Sequence, residues 1–324
     1  MKAIHLTAYG NPAQSLEMVE VSEPSTLSAG EALVRIEYAP VDYSDLLLAN
    51  GVYFLNPTLP SVIGGEGAGI VEAIGPGVTD VKVGDRVTIP FRTFTWAEKV
   101  LAPAHGLFVV PPSIDAKTAS MLNINPTTAV LLLDGFVKLK PGDWIVLNAA
   151  NSQVARCLIA VAKWRDLRIV GIVRRHELIP ELEALGVDFV GVDSAELPQQ
   201  IQSATDGMPI SLGLDAVGGP ATATIASLLS PGAHLVSYAW LSGLPIHLPQ
   251  GDLIGKRINI HGFWMYYEEY LPKMRAALTE ATKVVASGKL SLPITTTYKP
   301  FQIKEAIEHS QRGGKVLLDF NDTK

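Results

Sequence analysis

From Trp144 to Phe263, short apolar runs of strand character alternate with stretches of helical spacing, a pattern that dictates βαβ units around a parallel sheet. The expected strands are Trp144 to Leu147, Arg168 to Val173, Asp188 to Val192, Leu212 to Ala216, His234 to Tyr238 and Ile258 to Phe263. Between the first two, Val154 to Lys163 carries apolar residues at helical spacing, so this unit spans about thirty residues, the length a parallel crossover needs. A long polar helix is expected near Glu268 to Ala286, followed by a helix from Ile303 to Ser310 and a closing strand from Val316 to Phe320.

Lys2 to about Pro112 reads differently. Short β-rich runs (Leu33 to Tyr38, Gly69 to Ile74, Arg86 to Pro90) are separated by Gly64-Gly65, Gly75-Pro76-Gly77 and Val83-Gly84-Asp85. The chain is therefore expected to be an α/β protein of two domains. Residues 1–116 and 266–324 form a mostly antiparallel β domain, and 117–265 form a doubly wound parallel-sheet domain. No internal repeat or low-complexity segment interrupts them.

With 324 residues, 48% of them hydrophobic and 18% charged, the chain can fill two cores and is not disordered. Lys and Arg total 26 against 32 Asp and Glu, a net charge of -6, which leaves no positive surplus for a nucleic-acid backbone or an anionic membrane. His5 and Thr7 interrupt the first apolar stretch, so it lacks a signal-peptide core. Runs such as Ala129 to Leu133 fall far short of the roughly 20 residues that cross a bilayer. A cytoplasmic protein is expected. Cys157 is the only cysteine, which excludes an intrachain disulfide and a four-thiolate zinc cluster.

A dinucleotide site needs a tight strand-to-helix turn whose N–H groups meet a pyrophosphate. The candidate here is Leu147-Asn-Ala-Ala-Asn-Ser-Gln-Val-Ala-Arg156, which contains no glycine. Ala149, Ala150, Ser152 and Ala155 are small enough for close approach, while Gln153 adds bulk. An ordinary strand-loop-helix fits the same residues. After the second strand, an NAD-selective site places an acidic residue, whereas this chain has Arg174-Arg175-His176, whose guanidinium groups suit the ribose phosphate of NADPH through forked, charge-assisted bonds. Solvated loop charges are the competing explanation.

Four strings resemble the medium-chain dehydrogenase/reductase superfamily: Gly64-Gly-Glu-Gly-Ala-Gly-Ile-Val-Glu-Ala-Ile-Gly75, Val83-Gly-Asp-Arg-Val87, Lys140-Pro-Gly-Asp143 and Asp215-Ala-Val-Gly-Gly219. The resemblance implies a GroES-like catalytic domain and a Rossmann cofactor domain. Zinc enzymes of that superfamily bind catalytic zinc through a Cys before a Ser-Asp and a His in Gly-His-Glu. Asp42 and Gly65 hold those places here, and the seven histidines show no close metal-like spacing, so no zinc is expected.

Asn125-Pro-Thr-Thr-Ala129, Asn148-Ala-Ala-Asn-Ser-Gln-Val154 and Gly262-Phe-Trp264 resemble the zinc-free 2-enoyl thioester reductases, which use an Asn-Ser turn in place of the glycine-rich one. Gln153 and Ala155 depart from that branch, where glycine is usual, and Arg156 is foreign to it. The resemblance implies that Asn125, Asn151, Ser152, Gln153, Val154, Arg174, Arg175, His176, Tyr238, Ala239, Trp240, Leu241, Phe263, Trp264, Met265 and Lys315 surround NADPH. It further implies a catalytic tyrosine in a Gly-x-Tyr sequence, matched by Gly51-Val52-Tyr53, and a homodimer joined through the cofactor-domain sheets. A tyrosine, with an ordinary pKa of about 10, stays protonated at neutral pH and can donate to the α-carbon of an enoyl thioester once hydride has reached the β-carbon. Two alternatives stay open: an NADPH:quinone oxidoreductase, and an NADPH-binding protein without turnover.

Overall fold

The computed structural model describes residues 1–321. They form two compact units, one made of Met1–Ile124 with the segment from Ser291 onward, the other of Asn125–Leu290.

The first unit is built mainly of antiparallel strands. In chain order it contains β1 (Lys2–Leu6), α1 (Pro12–Ser15), β2 (Leu16–Glu20), β3 (Glu31–Val41), α2 (Tyr43–Ala49), β4 (Ser61–Val62), β5 (Ala68–Ile74), β6 (Arg86–Thr88), β7 (Lys99–Pro103), β8 (Phe108–Val109) and α3 (Ala116–Ala119). The second unit follows with α4 (Asn125–Asp134), β9 (Trp144–Leu147), α5 (Gln153–Trp164), β10 (Arg168–Val173), α6 (Ile179–Ala184), β11 (Phe189–Val192) and α7 (Leu197–Ala204). It continues through β12 (Ile210–Asp215), α8 (Pro220–Leu228), β13 (His234–Ser237), α9 (Gln250–Gly255), β14 (Asn259–Gly262) and α10 (Leu271–Ala286). The chain then returns to the first unit with β15 (Thr296–Tyr298), α11 (Ile303–Arg312) and β16 (Val316–Asp319).

In the first unit one sheet runs β2-β1-β4, and a second runs β15-β16-β3-β5-β6-β8 with β7 also paired to β3. Only β15 and β16 are parallel; the remaining pairs are antiparallel, as the short, punctuated runs led us to expect. The glycine-rich string from Gly64 to Gly69 permits close packing. A Cβ on Gly64, whose φ is +101°, would fall 2.2 Å from the fully buried Trp96 ring, and one on Gly69 would fall 2.1 Å from the carbonyl oxygen of Arg35 on the neighbouring strand.

The second unit has one parallel sheet in the order β11-β10-β9-β12-β13-β14. Numbered within the sheet this is 3-2-1-4-5-6, the doubly wound dinucleotide-binding arrangement. All four residues of β9 are buried, which is why the strand reads as an uninterrupted apolar run. The six expected strands lie within two residues of their observed bounds.

The boundaries between the units differ from those expected. They fall at 124/125 and 290/291 rather than at 116/117 and 265/266. α10 explains the larger shift: its buried face, which includes Ala277, Leu278, Ala281 and Val285, belongs to a helix packed on α4 and α5. Helical spacing reveals that such a face exists, not which unit receives it. Among the described residues no helix is long and apolar enough to cross a membrane.

Candidate active site

Because the strands of the second unit are parallel, the loops after β9, β10, β12, β13 and β14 all leave the same edge of its sheet. That edge carries Asn151 to Val154, Arg174 to His176, Tyr238 to Leu241 and Phe263 to Met265. The β9–α5 turn is tight without glycine: Ala149 takes the left-handed conformation at φ +45°, and Ala150 fits into the space left beside Gly171, where a Cβ would sit 3.1 Å from its own. Ser152 caps α5, its Oγ accepting from the Ala155 N–H at 3.2 Å. The foreign Arg156 forms an ion pair with Glu181 in α6. Placing glycine at 149 removes the left-handed cost of a Cβ, about 1 kcal/mol, while adding freedom to the unfolded chain. Ala149→Gly is therefore expected to raise stability by about 0.5 kcal/mol, read as a shift in the urea midpoint.

A cavity of about 340 Å³ opens at this turn. Asn151, Ser152, Arg174 and Leu241 line it, together with Asn148, Asp193, Thr224 and Ser242, which sequence reasoning had not selected as site residues. Their signal was positional, since Asn148 and Asp193 directly follow β9 and β11. Asn148 and Asp215 bridge the point where the strand order reverses: Asn148 Nδ2 donates to Asp215 Oδ1 at 2.7 Å, and the Ala216 N–H donates to Asn148 Oδ1 at 2.8 Å.

The fit to an anionic dinucleotide rests on complementary donors. The α5 N-terminus offers backbone N–H groups and the positive end of a helix dipole. Arg174 lines the cavity, and Arg175 and His176 lie exposed beside it in sequence. The Tyr238 hydroxyl is buried beside Ser152. Burial first, and the Asp215 carboxylate second, push its pKa up, so it stays protonated.

The other expected residues fall as follows. Asn125 opens α4. Met265 accepts the Thr128 hydroxyl at its sulfur, 3.4 Å away, tying the loop after β14 to α4. Phe263 packs on Tyr270, and Trp264 meets Tyr266 and Tyr267 edge-on. Lys315 belongs to the first unit, where its side chain is 4% exposed and its ammonium is bonded to Asp42.

Tyr53 lies in the loop after α2, half-buried against the core of the first unit. Gly51 turns the chain at φ +77° against Tyr9, and the Tyr9 hydroxyl donates to the Pro57 carbonyl at 2.6 Å, so both ends of the loop are held by one side chain. Val52 and Phe54, on either side of Tyr53, are more than half exposed.

Residues 28–112 match the alcohol dehydrogenase GroES-like domain, and residues 154–280 match the zinc-binding dehydrogenase family. An enoyl-[acyl-carrier-protein] reductase of Caenorhabditis elegans, named as mitochondrial, is 36% identical over 79% of this chain and 75% of its own. The chain belongs to the medium-chain dehydrogenase/reductase superfamily. It is an oxidoreductase of that superfamily. The mitochondrial enoyl-[acyl-carrier-protein] reductase of Dictyostelium discoideum is 29% identical over 98% of this chain and 94% of its own. A solved structure described as an NADPH:quinone reductase, from Bacillus thuringiensis, superposes with a TM-score of 0.90 at 27% identity, covering 98% of both chains. The complex of Etr1p with NADP and crotonyl-CoA shares the fold at TM-score 0.87 and 24% identity, over 98% of this chain and 99% of that one.

Within the superfamily, the zinc positions are unsuited to a metal here. Gly65 has no side chain, Asp42 is already bonded to the Lys315 ammonium, and no cluster of three His, Cys, Asp or Glu side chains able to hold a metal occurs among the described residues.

Proposed function

We propose that the protein is an NADPH-dependent reductase of activated carbon-carbon double bonds, converting a trans-2-enoyl thioester to the saturated acyl thioester. The observation that carries the cofactor half is the cavity at the β9–α5 turn, where Arg174 and the capped α5 N-terminus line one anion-binding surface. The substrate half is supported by likeness to enoyl-[acyl-carrier-protein] reductases along nearly the whole chain.

Bound NADPH supplies the hydride that reaches the β-carbon. In this reading Ser152 and the first turn of α5 would hold the pyrophosphate, with Tyr238 beside Ser152, and Arg174 and Arg175 would take the ribose phosphate. Tyr53 delivers a proton to the α-carbon, directly or through an ordered water. A serine, asparagine or backbone N–H stabilises the developing enolate oxygen. The exposed apolar side chains of Val52 and Phe54 suit a hydrocarbon chain beside that hydroxyl. The double substitution Arg174→Ser, Arg175→Ser is expected to raise KM for NADPH roughly tenfold to a hundredfold with little effect on NADH, the loss of one charge-assisted hydrogen bond or two. Steady-state kinetics with both coenzymes measures it, and equal losses with each would refute the assignment of the arginines.

Assembly as a homodimer through the edge of the cofactor-domain sheet belongs to the same proposal. Among the described residues β14 pairs only with β13, and its Ile260 is 43% exposed. The cytoplasmic location expected from the sequence is likewise proposed. The likeness to an NADPH:quinone reductase favours one rival reading. Loss of reduced-nicotinamide absorbance, followed with a short trans-2-enoyl-CoA and separately with a simple quinone, separates them. Turnover of the thioester supports the proposal, turnover of the quinone alone replaces it, and tight NADPH binding without either indicates a binding protein.

A further inference from the structure

Four ionisable side chains from distant stretches of the first unit meet in its interior. Asp42 precedes α2, Asp45 lies in the first turn of that helix, Glu66 follows Gly65, and Lys315 precedes β16. None is more than 8% exposed, so each must find its partners within the protein.

The hydrogen bonds account for most of their atoms. Lys315 Nζ is bonded to Asp42 Oδ1 and stands 3.6 Å from Glu66 Oε1. Both oxygens of Asp45 accept backbone N–H groups, from Asp42 and from Gly65, each at 2.8 Å. Glu66 Oε2 accepts the Ile124 N–H at 2.8 Å. Two oxygens are left over: Asp42 Oδ2 and Glu66 Oε1 are buried without a hydrogen-bonding donor. The carboxyl groups that carry them meet the same Lys315 ammonium, which brings them side by side. Two carboxylates in that arrangement repel; one proton turns the contact into a strong O–H···O bond.

The position of this cluster gives the arrangement its meaning, because Asp42 and Gly65 stand where zinc members of the superfamily present a thiolate and an imidazole. We propose that the Lys315 ammonium and one proton, held by Glu66 toward Asp42, together replace a divalent metal cation. Each supplies one positive charge against the Asp42 and Glu66 carboxyl groups, while the third, Asp45, is held by its two backbone N–H donors. Burial and then the Asp42 charge push the Glu66 carboxyl up, in keeping with a retained proton. Burial works against the Lys315 ammonium, yet Asp42, Glu66 and Asp45 hold its pKa above the ordinary lysine value. Asp45 is pushed up to about 7 by burial and by Asp42. The lysine backbone is fixed as well: its carbonyl accepts the Thr295 N–H at 2.8 Å, and its own N–H donates to Thr295 Oγ1 at 3.1 Å.

Three measurements on the whole chain test this. The purified protein should contain far less than one zinc per chain by elemental analysis, and a chelator should leave its Tm unchanged. Glu66→Gln should lower Tm by no more than a few degrees, because the amide carries its own donor toward Asp42 and still accepts from Ile124. Lys315→Met should lower Tm by about 10 °C, and adding Asp42→Asn to it should recover most of that loss, since the buried carboxylate that lost its cation disappears. One zinc retained per chain, or a Glu66→Gln loss as large as that of Lys315→Met, would overturn the proposal. Should Lys315→Met fail to fold, the zinc content and the Glu66→Gln melt decide alone.

Discussion

Tyr53→Phe is expected to lower kcat for enoyl thioester reduction by about 10² to 10⁴-fold, the usual worth of a positioned general acid. The substitution removes one oxygen and leaves the ring. Gly51 still turns the loop against Tyr9, the Tyr9 hydroxyl still holds Pro57, and the ring still lies tilted at 5.3 Å from Phe54. Tm should therefore stay within about a degree of the parent. KM should also change little, because a proton donor acts in the transition state and contributes little to binding the ground state. The measurement is NADPH oxidation with a short trans-2-enoyl-CoA as acceptor, across a range of thioester concentrations. Unchanged kcat would remove Tyr53 from the mechanism and leave the proton to another group. A rise in KM at constant kcat would instead make it a binding residue.

The legibility of this chain divides along a physical line. Strands of the second unit are buried on both faces, so they appear as apolar runs, and Trp144 to Leu147 was readable to the residue. The turn after β9 was marked in the sequence by its place behind the first strand and its small residues Ala149 and Ala150, while the Ser152 cap became visible only in the structure. The destination of α10 was not readable, since an amphipathic helix does not name the surface it will cover. Contacts between residues distant in sequence were hidden for the same reason. Asn148 and Asp215 are 67 residues apart, Asp42 and Lys315 are 273 apart, and nothing in the local pattern of either pair marks the partner. Only the fold brings a buried carboxylate and its donors together. Such a residue reads in isolation as a surface charge.

Asp215→Ala is expected to cost about 3–5 kcal/mol of stability and to lower Tm by about 10 °C. The carboxylate is fully buried and takes four donors: Asn148 Nδ2 at 2.7 Å, the N–H groups of Val217 at 2.9 Å and Gly218 at 3.0 Å, and the Thr222 hydroxyl at 2.5 Å. Alanine leaves all four without an acceptor, and an unmade bond at a buried donor costs more than a made one contributes. Asp215→Asn should lose far less, about 1 kcal/mol, because its oxygen serves the three N–H donors while its amide donates to a reversed Thr222 hydroxyl. The same atoms shape the cofactor cavity, since Asn148 and Val217 both line it. The alanine variant should therefore bind NADPH more weakly even well below its melting temperature, whereas the asparagine variant should bind nearly as the parent does. Thermal melts followed by circular dichroism and a fluorescence titration with NADPH measure the two effects. Equal losses in both variants would mean that the negative charge of Asp215, rather than its place as a shared acceptor, holds the turn together.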